Sequence, residues 1–186
     1  MKNMWFSALI LASSLAFAAT AHARGGSGGS GVMLTFNGFY NTDKTQTQSG
    51  GSTTTSDTKG AVYDVKLGYL EGDGWYLGGM YTSRSYDAGG SSTAGSATAG
   101  SIGYVGSMGF YAMAHYIFSA TEGTNYKQGS GYQGDLGYLT AINGSFIVGV
   151  ELTYRTITYK KDENNAALDH YTHDEIMPML TLGYLF

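Results

Sequence analysis

IMPMLTLGYLF, residues 176–186, decides the fold. Ile176, Leu180, Leu182, Tyr184 and Phe186 fall at every second position, with Pro178 the odd member of the series. Met177, Met179, Thr181, Gly183 and Leu185 fill the places between. A period of two is that of a β-strand with two unlike faces. One face here is apolar and ends in two aromatics, with no polar tail after Phe186 to cover it. At the edge of a soluble sheet such a strand would be a sticky template. As the closing strand of a transmembrane barrel it turns its apolar face to lipid and sets an aromatic at the interface.

Working back from this strand, the same period recurs in seven earlier segments, at about 32–40, 59–70, 75–86, 99–106, 110–119, 131–141 and 146–160. The segment 146–160 is the clearest. Phe146, Val148, Val150, Leu152 and Tyr154 alternate there with Gly149, Glu151, Thr153 and Arg155. The connections alternate in length. Short turns are expected at 71–74 (Glu-Gly-Asp-Gly), 107–109 and 142–145, where Asn143-Gly144 is a strong hairpin signal. Long polar loops are expected at 41–58, 87–98, 120–130 and 161–172. An even strand number with short turns on one side and long loops on the other fits an up-and-down outer-membrane barrel. The expected fold is therefore all-β: an eight-stranded antiparallel up-and-down transmembrane β-barrel, with four mobile external loops.

The C-terminal strand resembles that of small bacterial outer-membrane β-barrel proteins of the OmpA/OmpX type. Their assembly signal is a terminal Phe preceded by apolar or aromatic residues at alternate positions. The resemblance implies that Leu180, Leu182, Tyr184 and Phe186 address the chain to a barrel-assembly machinery. It is specific only over this strand, and it carries over no functional residues.

Composition agrees. Charged residues are 13% of the chain, against ~25% in soluble domains. Glycine contributes 29 residues, tyrosine 16 and proline one, which suits strands with aromatic girdles. There is no cysteine, so no disulfide framework and no thiol chemistry. The formal charge is −4 without a basic patch, which argues against nucleic acid as a partner.

Residues 1–23 read as a cleaved signal peptide. Lys2 supplies the basic start, Trp5–Ala19 the apolar run, and Ala21-His22-Ala23 the small–x–small cleavage pattern. Residues 24–31 (RGGSGGSG) read as a flexible linker, and 32–186 as the barrel. The expected location is the bacterial outer membrane. The expected partners are its lipid and an extracellular ligand at the loops, for a chain that is monomeric.

With the apolar face toward lipid, Asp64, Lys66, Arg84, Asp135, Glu151 and Arg155 face the lumen. A barrel of ~8 strands is just wide enough for side chains to fill. Three acids and three bases in that space are expected to form one network of ion pairs, because an isolated buried charge is costly. The role expected of it is structural, with a plugged lumen. Alternatives are a narrow pore and a lipid A-modifying enzyme.

Residues with catalytic potential are few. His115 and Ser119 share a face by parity, but four strand residues separate them, ~13 Å. Residues 170–175 (HYTHDE) hold His170, His173, Asp174 and Glu175, a weak metal-binding pattern that is more simply a solvated loop end. No enzyme activity, cofactor or metal is expected. Pro178 cannot donate a ladder hydrogen bond, so a bulge or early loosening is expected beside it.

Overall fold

The computed structural model describes residues 30–49, 52–88, 90–123, 126–142, 144–160 and 170–186, and for 43–49, 52–58, 170 and 171 the backbone alone. The signal peptide and nearly all of the linker lie outside the described residues. The strands are β1 (Gly31–Ser49), β2 (Ser52–Leu70), β3 (Trp75–Ala88), β4 (Ser91–Val105), β5 (Phe110–Glu122), β6 (Tyr126–Ile142), β7 (Phe146–Lys160) and β8 (His170–Leu185). Each pairs antiparallel with its sequence neighbours and β1 pairs with β8, closing the barrel. The eight-stranded antiparallel up-and-down barrel expected from the sequence is observed.

Three of the four long loops are not loops. β1 and β2 stay paired to Ser49↔Ser52, β3 and β4 to Ala88↔Ser91, and β5 and β6 to Glu122↔Tyr126. The segments 41–58, 87–98 and 120–130 are therefore largely strand. Their Ser, Thr and Gln residues show no period because neither face of a projecting hairpin is apolar. The backbone still pairs with its own neighbour, and β-branched Thr favours extended chain. Residues 161–169 of the fourth loop lie outside the described residues.

At the opposite end the turns are tight. Gly74 N donates to Glu71 O (2.9 Å) and Gly109 N to Gly106 O (2.9 Å). Gly144 takes a φ of 81°, which the Asn-Gly turn requires. Phe186 N donates to Val32 O (2.9 Å) at this same end.

The pleat separates the two faces completely. Leu77 (70% exposed), Leu136, Leu152, Ile176, Leu180, Leu182, Tyr184 and Phe186 all stand on the outer wall. Aromatics ring its two ends. Near the turns lie the pairs Trp75–Tyr104 (5.7 Å), Phe110–Tyr138 (5.2 Å) and Tyr184–Phe186 (4.7 Å), and toward the hairpins Tyr116–Tyr132 (5.5 Å). The lumen face carries the buried charges. Several large inward side chains lie flat on glycine. A Cβ on Gly68 would come within 2.6 Å of the Tyr76 ring, and one on Gly137 within 2.5 Å of Tyr111 Cε1. Glycine at these positions lets aromatic side chains lie against the inner wall.

Of the bulge or early loosening expected beside Pro178, the bulge is absent and the loosening is present on the β1 side. The β7–β8 ladder runs in register through Leu152↔Pro178. Leu185 N points to the β7 side, at Ser145 O, and Phe186 N points to the β1 side. Alternation along a regular strand then turns the proline nitrogen toward β1. The β1–β8 ladder has already ended there, at Gly38↔Leu180. The missing donor faces a stretch of wall with no ladder. Across that gap Phe39 packs against Val62, Met177 and Met179, so side chains close the seam where backbone pairing stops.

Candidate functional site in the polar lumen

Five of the six expected lumen charges meet in one network at mid-height. β2 supplies Asp64 and Lys66, β6 Asp135, and β7 Glu151 and Arg155, and their exposure is at most 4%. Lys66 Nζ donates to Asp135 Oδ2 and to Glu151 Oε2 (2.6 Å). Arg155 Nη2 donates to both oxygens of Asp64, at 2.8 Å each, and Arg155 Nε to Gln133 Oε1 (2.6 Å). Gln133 Nε2 in turn donates to Asp64 Oδ2 (3.1 Å) and Asp135 Oδ1 (3.0 Å), joining the two halves. Asn37, Tyr111 and Thr153 donate to Glu151, and Thr82 to Asp64 (2.7 Å). Each buried carboxylate is thus held by a cation or by several donors, which burial demands.

Arg84 is not a member of that network. It lies nearer the hairpin end, where its guanidinium donates to Glu122 (3.1 Å), Glu175 (3.0 Å) and the Tyr159 hydroxyl and contacts His173 Nδ1 (3.2 Å). Its link to the central network is indirect, through Glu175, whose other oxygen is 3.6 Å from Arg155 Nη1. The six charges expected to share one network form a central group and an outer cluster around Arg84, bridged by the Glu175–Arg155 ion pair. Arg84 stands two residues beyond Thr82 on β3 and turns toward the hairpin end, to Glu122 and Glu175, while Arg155 takes both oxygens of Asp64. At this outer mouth a hydrogen bond to Glu122, the largest influence, holds the His173 imidazole above its ordinary range.

A Ser–His–Asp set converges inside the lumen, and it uses neither Ser119 nor the residues at 170–175. Ser101 on β4 stands opposite His115 on β5 in the ladder, and its Oγ is 2.6 Å from Nδ1. His115 Nε2 is 2.7 Å from Asp135 Oδ2. A carboxylate only accepts, so Nε2 carries the proton and donates it. Ser119 points outward, because the β5–β6 ladder is irregular between Ile117 and Ala120 and parity changes there. Among the described residues no group of three or more His, Asp or Glu is arranged to hold a metal ion. The Ser101 set has the order of a hydroxyl–imidazole–carboxylate relay. It has the enclosure of a structural hydrogen-bond chain. All three side chains are buried, and Asp135 is shared with Lys66.

Apolar layers lie on both sides of this polar slab. Toward the turns are Met33, Leu70, Tyr76, Val105, Tyr111, Met113, Leu139 and Ile147. Toward the hairpins are Met80, Ala97, Ala99, Ile117, Ala120, Ile157 and Tyr159, with Val62, Met177 and Met179 beside them. No protein-family model, no curated protein and no solved structure matches the chain. Its chemistry is therefore read from its own geometry.

Ser101, Gln133, Thr82, Tyr111 and Asn37 are the members that the sequence left unmarked. Each lies on the lumen parity of its strand, so the pleat would have found them. Their partners follow only from the register, which pairs Ser101 with His115 and Gln133 with Arg155.

Proposed function

We propose that this chain is an integral outer-membrane β-barrel with a non-enzymatic, structural or surface-interaction role. The observation that carries the reading is the inverted polarity of the wall. Leu, Ile, Tyr and Phe side chains cover the outside while Lys66, Arg155, Asp64, Asp135 and Glu151 are sealed inside. In water such a wall would expose a continuous apolar surface far larger than soluble monomers tolerate. In a bilayer it is the favourable arrangement. The filled lumen then acts as a plug that braces opposite strands, and the hairpins above the bilayer are the part that meets ligands. Leu180, Leu182, Tyr184 and Phe186 offer the barrel-assembly machinery an apolar strand edge.

The test is fractionation of a Gram-negative host expressing the full chain. The reading expects a protein in the outer-membrane fraction whose electrophoretic mobility changes on heating as the barrel unfolds. A soluble periplasmic product would overturn it. A pore is the weaker alternative, because apolar layers lie on both sides of the polar slab; planar-bilayer recording that gave large, stable single-channel steps would favour it.

A further inference from the structure

One like-charge pair on the outer wall is built at a cost. Lys127 on β6 stands directly opposite Lys160 on β7, and both side chains are exposed. Two cations facing each other across a ladder destabilise it. Among the described residues neither lysine lies within ion-pair distance of a carboxylate.

The backbone bends to make this pair. The β6–β7 register shifts between Lys127↔Lys160 and Ser130↔Thr158, so β6 holds one extra residue there. Gln128, inside that bulge, has a φ of 55° and is the sole non-glycine with positive φ among the described residues. That conformation is itself costly. Without the extra residue, position 127 would share the inward parity of Gln133 and Asp135. The bulge re-aims Lys127 outward, beside Lys160.

The surroundings fit an anion of particular height. Thr158 and Thr172, with hydroxyls 3.0 Å apart, lie one rung nearer the barrel's middle on the same face. Lys160 is six residues beyond Tyr154, which is exposed on the outer wall near the level of Tyr132. That is ~20 Å along the strand, or ~15 Å of height at a tilt of ~40°. This is the level of lipid headgroups, above the hydrocarbon.

We propose that Lys127 and Lys160 form a binding site for a phosphate carried by an outer-leaflet lipid headgroup, with Thr158 and Thr172 donating hydroxyl hydrogen bonds to the same group. The site rests on the outer-membrane reading above. Bound phosphate turns the repulsion between the lysines into a shared contact, and the bulge holds both on one face.

The experiment uses the purified full chain folded in a maltoside detergent, titrated in native mass spectrometry with bisphosphorylated lipid A, with the same glycolipid stripped of phosphate, and with inorganic phosphate. The phosphorylated lipid should bind at least about tenfold tighter than the stripped one. Lys127→Gln and Lys160→Gln should each weaken it about fivefold, and the double variant on the order of thirtyfold. Lys59→Gln, on the far side of the barrel, and Gln128→Gly, which keeps the bulge and removes its strain, should bind within about twofold of the parent. Circular dichroism checks that each variant is folded. Equal binding of the stripped glycolipid, parent-like affinity in the double variant, or displacement by equimolar inorganic phosphate would overturn the site. Fractionation decides the outer-membrane reading separately, since this binding is measured outside the cell.

Discussion

Lys66→Met tests the polar slab where it carries most charge. Lys66 Nζ is the cation shared by Asp135 and Glu151, and all three side chains are at most 1% exposed. Methionine keeps the unbranched shape and most of the length of the side chain and removes the charge. Glu151 then keeps its hydrogen bonds from Asn37, Tyr111 and Thr153, and Asp135 keeps His115 and Gln133, but neither keeps its ammonium. Removing one partner of a buried ion pair costs about 3–5 kcal/mol. At ~4 kcal/mol the folded-to-unfolded ratio falls roughly a thousandfold. The assay is urea unfolding in lipid vesicles, followed by electrophoretic mobility. The triple variant Lys66→Met, Asp135→Asn, Glu151→Gln removes all three charges together. It should recover all but ~1–2 kcal/mol, because a neutral set leaves no uncompensated ion. A cost below ~1 kcal/mol for Lys66→Met alone would refute the claim that the lumen is dry enough to need its cation.

Further outcomes follow from other parts of the wall. Gly137→Ala should destabilise the barrel by ~1–3 kcal/mol in the same assay, because the added Cβ meets Tyr111 Cε1 and Val150 O, both at 2.5 Å; a neutral result would mean that Tyr111 does not lie on this wall. Cysteines at Gly38 and Leu180, the last rung of the β1–β8 ladder, should crosslink readily on oxidation, whereas cysteines at Tyr40 and Pro178, two residues beyond it, should not; equal yields would show that the seam pairs further than described. His173, raised by Glu122, should stabilise the outer mouth below pH ~6.5 and lose that contribution as pH rises through its higher folded value. The stability difference between the parent and His173→Gln should therefore shrink from pH 5 to pH 9, and a difference that grew with pH would contradict the Glu122 contact.

Much of the architecture is legible in the sequence, because an apolar outer wall around a polar lumen imposes a strict period on each strand. Phe146–Tyr154 and Leu180–Phe186 show it, and Glu71–Gly74 and Asn143-Gly144 mark the turns. The period vanishes where the wall leaves the apolar zone. The hairpin at 41–58 reads as loop because Thr, Ser and Gln suit both faces of a strand in water. Pro178 suggests a bulge only while the direction of its nitrogen is unknown. The lumen is half legible. Charges such as Asp64 and Arg155 announce themselves by parity, but Ser101 gains its partner only when β4 and β5 are in register. Arg84 is inward as parity requires, yet its partners Glu122 and Glu175 lie on strands whose ends the sequence leaves indistinct. Lys127 is the sharpest case. Strict alternation from Gln133 sends it into the lumen, and the extra residue at the Gln128 bulge sends it out.

If the barrel sits in a bilayer, its apolar wall faces acyl chains and its buried charges face a dry lumen. Nuclear Overhauser contacts in lipid nanodiscs distinguish the two faces. Leu136, Leu152 and Leu182 should show contacts to lipid methylene protons, while the Gln133 and Arg155 side chains show none and exchange slowly with water. Water contacts at those three leucines, with lipid contacts missing, would contradict the account.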